Sequence, residues 1–131
     1  MNDYPPAIDG FARHKFCDRP ERPLYLFIKQ PETPGPAPAI LFFFGGGWWG
    51  GRVDALRPYA EHFAALGLAC VLADYRVHLR DGTNTPADCM ADGRAAMRFL
   101  RGNAKELGIL PDRIIAVGSS AGGHVALGLA V

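Results

Sequence analysis

Short runs of uninterrupted apolar residues alternate along the chain with stretches in which apolar positions recur at helical spacing. Leu24-Tyr25-Leu26-Phe27-Ile28 reads as a strand, and Pro31 to Pro38, with four prolines and a glycine, as a loop. Ala39-Ile40-Leu41-Phe42-Phe43-Phe44 is apolar at every position, the pattern of a strand buried on both faces. Leu56, Tyr59, Ala60 and Phe63 fall at i, i+3, i+4 and i+7, which predicts a helix beginning near Asp54 and ended by Gly67. Leu68 to Ala73 is a second buried strand, leading into Asp74-Tyr75-Arg76. Residues 77–84 read as a polar loop. Thr85 as cap, Pro86 at the first helical position and Asp88 in the first turn start a helix. Gly108 and Pro111 stop it near Leu107. Arg113-Ile114-Ile115-Ala116-Val117 is the last strand, apolar on both faces like a central one, and Gly123 to Ala130 a final helix. Residues 1–23, rich in proline and charge, hold at most one edge strand near Arg13 to Cys17. Strands alternating with helices predict an α/β fold with a mainly parallel sheet.

Composition narrows the classes. The chain has 131 residues, room for about one domain, and its 49% hydrophobic content supports a core. With 14 basic and 13 acidic residues the net charge is +1, which gives no reason to expect nucleic acid or an anionic membrane as partner. The N-terminal residues lack the charged-then-apolar build of a signal peptide, and no apolar run approaches the ~20 residues of a spanning helix. Cys17, Cys70 and Cys89 are odd in number and share no metal-type spacing. Cys70 sits in an apolar strand and reads as a buried thiol, and the expectation is a reducing, cytoplasmic setting.

The candidate chemistry lies at two strand ends. Gly118-Ser119-Ser120-Ala121-Gly122 stands between a strand and a helix, the setting of a nucleophile elbow. Small residues two positions before and after Ser120 let strand and helix pass closely, while the strained turn pushes the hydroxyl outward. The Ala121 amide, at the start of the helix, would face developing negative charge. Gly45-Gly46-Gly47-Trp48-Trp49-Gly50-Gly51 has five glycines in seven residues, so its backbone is free to expose amides. Amides of Gly46, Gly47 and Ala121 could then converge on one oxygen of a tetrahedral intermediate. A rival reading takes Gly45 to Gly50 as G-x-G-x-x-G and Asp74 as a ribose-binding acid, hence a dinucleotide-binding domain. Against it stand two tryptophans where bare backbone is needed, a helix starting several residues late, and an unexplained Ser120 turn. Arg94, Arg98, Arg101 and Lys105 share a helix face that reads as solvated.

Phe44-Gly45-Gly46-Gly47-Trp48, Asp74-Tyr75-Arg76 and Gly118-Ser119-Ser120-Ala121-Gly122-Gly123, in this order and at these separations, resemble the α/β-hydrolase esterases, most closely the hormone-sensitive-lipase-like and BD-FAE-like acetylesterases. The resemblance runs from about Leu24 to Val131. It implies Ser120 as nucleophile, Gly46, Gly47 and Ala121 as oxyanion donors, short-chain acyl esters as substrates with acetylated carbohydrate as a candidate, and no cofactor or metal. It also implies that the Asp-Tyr-Arg segment braces the oxyanion loop, leaving Asp74 without a catalytic role. Phe44 departs from the usual His at the head of the glycine loop and can only pack. In this fold the triad runs Ser, Asp or Glu, then His. Only 11 residues follow Ser120, none acidic, and His124 is the sole histidine among them. His124, one helical turn on, and His78, after a strand end, are weak candidates for the base; His14 and His62 read as surface residues. The expectation is a single incomplete α/β-hydrolase domain over residues 1–131, truncated after the elbow helix. Its parent would have about 250–300 residues. Alone, the chain would be nearly inactive and would self-associate through an open strand edge. A non-catalytic α/β-hydrolase-like binding scaffold remains the alternative.

Overall fold

A computed structural model describes residues 4–82 and 85–129. Met1 to Asp3, positions 83 and 84 of the expected polar loop, and Ala130 of the expected final helix lie outside the described residues. Five strands form one sheet, β1 (Ala12–Asp18), β2 (Pro23–Lys29), β3 (Ala37–Phe43), β4 (Ala69–Ala73) and β5 (Ile109–Gly118). The helices are α1 (Arg57–Ala65), α2 (His78–Asp81), α3 (Pro86–Gly102), α4 (Ala104–Leu107) and α5 (Ala121–Gly128). Spatial order is β1-β2-β4-β3-β5. β3 pairs parallel with β4 and β5, whereas β1–β2 and β2–β4 are antiparallel. The sheet is thus mixed rather than mainly parallel. Residues 19–22 make a tight reversal, closed by Arg19 N–H to Arg22 O at 3.1 Å, and a connection that short joins only antiparallel strands.

β3 is the centre, and alternate residues divide between the two faces. Ile40 and Phe42 look towards α1, while Phe43 meets the α3–α5 contact, where Gly93 comes against Val125. The chain leaves β3 for α1 on one face and β5 for α5 on the other, so a crevice opens beyond their C-terminal ends. Register makes that crevice level: Phe43 lies opposite both Ala73 of β4 and Gly118 of β5. Residues 44–45, 74–75 and 119–120 therefore emerge from one row.

Several elements differ from expectation. α1 begins at Arg57, three residues after Asp54, because turns at Arg52–Ala55 and Asp54–Arg57 precede it. The segment after β4 contains α2, whose first two amides are spent on the glycine loop. The long helix breaks at Asn103, whose backbone and side-chain amides both take the Phe99 carbonyl (3.0 and 2.9 Å), and α4 follows as a separate turn. β5 is longer than expected, and it lies at the sheet margin as the open strand edge expected from the sequence. Ile115 is 57% and Val117 39% exposed, so it is not buried on both faces. Arg98, Arg101 and Lys105 are solvated as expected, and Arg94 is half-buried with Nη2 3.5 Å from Gly128 O.

One buried ion cluster ties the β1–β2 turn, the end of β4 and α3 together. Asp92 of α3 accepts from Arg76 Nε (2.9 Å), Arg76 N–H (2.9 Å) and Arg19 Nε (2.8 Å). Asp92 is fully buried. Removing one partner of such a cluster strands the rest in a poorly solvated site. Asp92→Ala is expected to lower unfolding free energy by about 3–5 kcal/mol in urea titrations, with Asp92→Leu/Arg76→Met recovering much of the loss. Burial pushes the thiols of Cys70 and Cys89 up to about 11 and about 12, and raises that of half-buried Cys17. A thiol reagent at pH 8 should therefore leave Cys70 and Cys89 unmodified in the folded protein and titrate them only in denaturant.

Candidate active site

The elbow is built as its spacing demands. Ser120 has φ 53° and ψ −117°, one of two described non-glycine residues with positive φ; the other is Trp48 at 61°. α5 begins immediately after, with Ala121 at its first position. The flanking glycines are steric requirements. A Cβ on Gly118 would lie 2.1 Å from the Gly122 carbonyl, and one on Gly122 would lie 2.1 Å from Phe43 O. Ser119 N–H donates to Phe43 O (3.3 Å) and Gly122 N–H to Ser119 O (2.9 Å), which stitches the turn to the end of β3. Ser120 itself is exposed.

The glycine loop faces it. Gly45 packs against the elbow so closely that a Cβ there would lie 2.7 Å from Ser119 O and 3.4 Å from Ser120 Cβ. Five carbonyls from Phe44 to Gly51 have donors. Phe44 O accepts from Tyr75 Oη, Gly46 O from the amides of Trp49 and Gly50 (3.1 and 3.0 Å) and Trp48 O from His78 N–H (3.0 Å). Trp49 O accepts from Leu79 N–H (2.8 Å) and Gly51 O from Arg80 Nη2 (2.8 Å). Among the described residues, no protein acceptor takes the amides of Gly46, Gly47 or Ala121. Gly46 and Gly47 have φ of 146° and 65°, and both are exposed. The amides of the three positions singled out in the sequence are thus without a protein acceptor among the described residues.

The Asp74-Tyr75-Arg76 segment is a brace. The Tyr75 ring stacks on Phe44 at 4.1 Å with 10° between planes, and its hydroxyl holds the Phe44 carbonyl. Phe44 therefore orders the loop by stacking, where a histidine would use its side-chain hydrogen bonds. Asp74 is fully buried and accepts from Arg22 Nη1 (2.6 Å), Tyr4 Oη (2.8 Å) and Tyr75 N–H (3.0 Å). Burial pushes its carboxyl up and Arg22 pulls it back. Burial, reinforced by Asp74, raises the Tyr4 hydroxyl far above the ordinary phenol range, so it remains a donor. Tyr4, Arg22 and Arg80 escaped the sequence reading. Their partners lie 29–70 positions away along the chain, and no local pattern marks such pairings.

The two weak base candidates pack their rings on the tryptophans of the glycine loop, and His124 lines the same opening as Ser120. His124 is exposed on α5, edge-on to Trp48 at 5.3 Å, and the His78 ring stacks on Trp49 at 4.1 Å. Among the described residues the Ser120 hydroxyl makes no side-chain hydrogen bond.

Parallel strands with helices on both faces, a strained serine between β5 and α5, and a glycine loop after β3 define an α/β-hydrolase fold. Residues 25–131 match the family described as BD-FAE, and the chain belongs to that family. Its solved neighbours are esterases. The native esterase Est2 of the planctomycete Thermogutta terrifontis superposes with a TM-score of 0.89 at 40% identity, over 94% of this chain and 45% of that one. The same enzyme phosphorylated by paraoxon gives 0.89 at 40% identity, over 96% and 49%. A probable carboxylic ester hydrolase of Mycobacterium tuberculosis, LipM, is 36% identical over 76 residues, which is 58% of this chain and 17% of that protein. The chain spans less than half the length of these solved esterases and about a sixth of LipM.

The elbow's glycines differ sharply in the room they have. Gly122→Ala is expected to cost about 1–3 kcal/mol or more, because backbone carbonyls are what its methyl would strike. Gly123→Ala, whose methyl would lie 3.4 Å from Gly118 O, should be neutral or gain up to about 1 kcal/mol of helix stability. Urea midpoints of the two variants separate these outcomes.

Proposed function

We propose that the chain carries the nucleophile and the oxyanion hole of a serine carboxylic-ester hydrolase acting on short-chain acyl esters. The observation that carries this reading is Ser120 at positive φ, with Gly45 of the glycine loop packed against its turn and the Gly46 and Gly47 amides without a protein acceptor among the described residues. Ser120 Oγ attacks the ester carbonyl, and the carbonyl oxygen, now an anion, is taken by the amides of Gly46, Gly47 and Ala121. The hydroxyl proton passes to a histidine base, which returns it to the departing alcohol. Water then hydrolyses the acyl-enzyme by the same route. The base and its orienting acid are assigned to a part of the protein outside these 131 residues. In accord with this, the His124 and His78 rings pack on Trp48 and Trp49, no side-chain hydrogen bond joins a described histidine to Ser120, and the chain matches 45% of the native relative. The isolated chain would accordingly hydrolyse esters poorly.

The choice of short acyl groups is supported by the relative's structures with propionate and with butyrate bound. Its phosphorylation by paraoxon fits a nucleophile that organophosphorus reagents capture. Acetyl esters, including those of carbohydrates, belong to the same range. The glycine loop opens onto the elbow and α1 begins only at Arg57, so a pyrophosphate on Gly45 to Gly50 would meet no helix start there.

Full-length protein treated with a fluorophosphonate and digested should carry the label on Ser120, and Ser120→Ala should lower kcat for p-nitrophenyl acetate by at least about 10⁴ without unfolding the protein. An unlabelled Ser120 in an ester-cleaving sample would overturn the assignment. A folded full-length protein that binds short esters and never cleaves them would favour the non-catalytic scaffold.

A further inference from the structure

The exit of the glycine loop is held by groups that the reaction does not use. Tyr4 Oη donates to Asp74 Oδ1 (2.8 Å) and accepts from Val53 N–H (2.8 Å), so one oxygen joins the end of β4 to the segment leaving the loop. Its ring is a platform for guanidinium groups, with Arg80 3.4 Å, Arg22 5.3 Å and Arg52 5.6 Å from the centroid. Arg80 in turn donates to Gly51 O (2.8 Å), the last carbonyl of the glycine run. Arg22 bridges Asp74 (2.6 Å) and Asp81 (2.6 Å), and Asp81 Oδ2 accepts from Val77 N–H (3.0 Å) at the head of α2. α2 is the element whose amides hold Trp48 O and Trp49 O. The ties at Gly51 and Val53 thus end on Arg80, which lies over the Tyr4 ring, and on Tyr4 itself.

A restraint of this kind matters at this loop in particular. Gly46 and Gly47 can rotate more freely than any other residue, and their amides have no protein acceptor to fix their direction. Donors that stabilise a developing anion act only if they are already aimed when the charge appears. The entrance of the loop is fixed at Phe44 by Tyr75. The exit is fixed at Gly51 and Val53, and the Tyr4 hydroxyl is the one side-chain group that takes the Val53 amide.

We propose that Tyr4 is a positioning residue of the hydrolase: its hydroxyl, clamped between Asp74 and Val53 beneath Arg80, holds the glycine loop at the height where the Gly46 and Gly47 amides meet the oxyanion. This rests on the reading of Ser120 and the loop given above. The Tyr4 side chain touches no substrate and acts through the backbone.

Tyr4→Phe in the full-length protein keeps the ring beneath Arg80 and removes only the hydroxyl. The expected result with p-nitrophenyl acetate is a fall in kcat of about tenfold or more, with KM unchanged within about twofold, since the lost alignment matters only when charge develops. The inhibition constant of a trifluoromethyl ketone, which forms a tetrahedral adduct on serine, should rise by the same factor as kcat falls. A lower unfolding temperature with unchanged kcat, or a raised KM alone, would show a merely structural or ground-state role and overturn the proposal. If Tyr4→Phe does not fold, Arg80→Lys, which keeps the charge and loses the planar reach to Gly51 O, is read by the same kcat, KM and inhibitor constants, and an unchanged kcat there overturns it. Fluorophosphonate labelling separates the two readings. An active wild type labelled at Ser120 with kcat unaffected in Tyr4→Phe sinks this inference alone, whereas a wild type unlabelled at Ser120 sinks the hydrolase assignment and this one with it.

Discussion

Backbone contact between the end of β3 and the start of α5 is the constraint on which the rest depends. Strand, turn and helix approach until peptide groups touch, and no side chain fits between them. Gly118 faces the Gly122 carbonyl, Gly122 faces Phe43 O, and Gly45 faces Ser119 O, each at a distance a methyl group would violate. That contact forces Ser120 into positive φ, and a non-glycine residue there is strained by about 1–3 kcal/mol. The strain persists because Ser119 N–H and Gly122 N–H are both already bonded, so the turn has no relaxed state that keeps its hydrogen bonds. A glycine loop and a serine that belong to segments 75 positions apart are thereby held as one unit.

Around this contact the structure separates polarity by direction. Five carbonyls from Phe44 to Gly51 accept from Tyr75, α2, Arg80 or the loop itself, while the Gly46 and Gly47 amides have no protein acceptor among the described residues. Charge clusters sit behind the brace, with Asp74, Arg76 and Asp92 buried at their centres. Arg22, Asp74 and Asp81 form one cluster, Arg76, Asp92, Arg19 and Glu21 another, and both bind the β1–β2 turn to the end of β4. Burying the charges of Asp74, Arg76 and Asp92 is costly unless each is paired, and each carboxylate of the two clusters meets a guanidinium. The antiparallel hairpin at the start of the chain thus does more than widen the sheet: its turn supplies the cations that steady the segment under the glycine loop.

Much of this was legible in the residues. β2, β3 and β4 announced themselves as apolar runs because they are buried on both faces, and the elbow and loop glycines could be read because steric demand selects residue type directly. The mixed character of the sheet was not, since pairing direction depends on which strands meet, and the four-residue reversal after β1 carries no strong turn signature. α2 was missed for a related reason. Its four residues have no periodicity, and it is held by bonds to Trp48 and Trp49 that are distant in sequence. The break at Asn103 turned on one side-chain amide competing for the Phe99 carbonyl, a local rivalry that helix propensity does not rank. Ile115 and Val117 carry the apolar pattern of a central strand and are exposed because β5 is the open edge expected of this chain. Free amides at Gly46 and Gly47 were expected from glycine content, but the Tyr4, Arg22 and Arg80 ties behind them were not, because each is a single long-range contact.

The stack of Phe44 on Tyr75 has a consequence for acidity. An imidazole at position 44 would gain and lose a proton near pH 6.5, and the loop's footing would change with it. A phenyl ring has no such state, and the phenol beneath it is driven by burial still further from titration. The footing of the glycine loop at its entrance is therefore proton-blind across the physiological range, and any response of this crevice to acid has to originate in groups other than the two rings that support it.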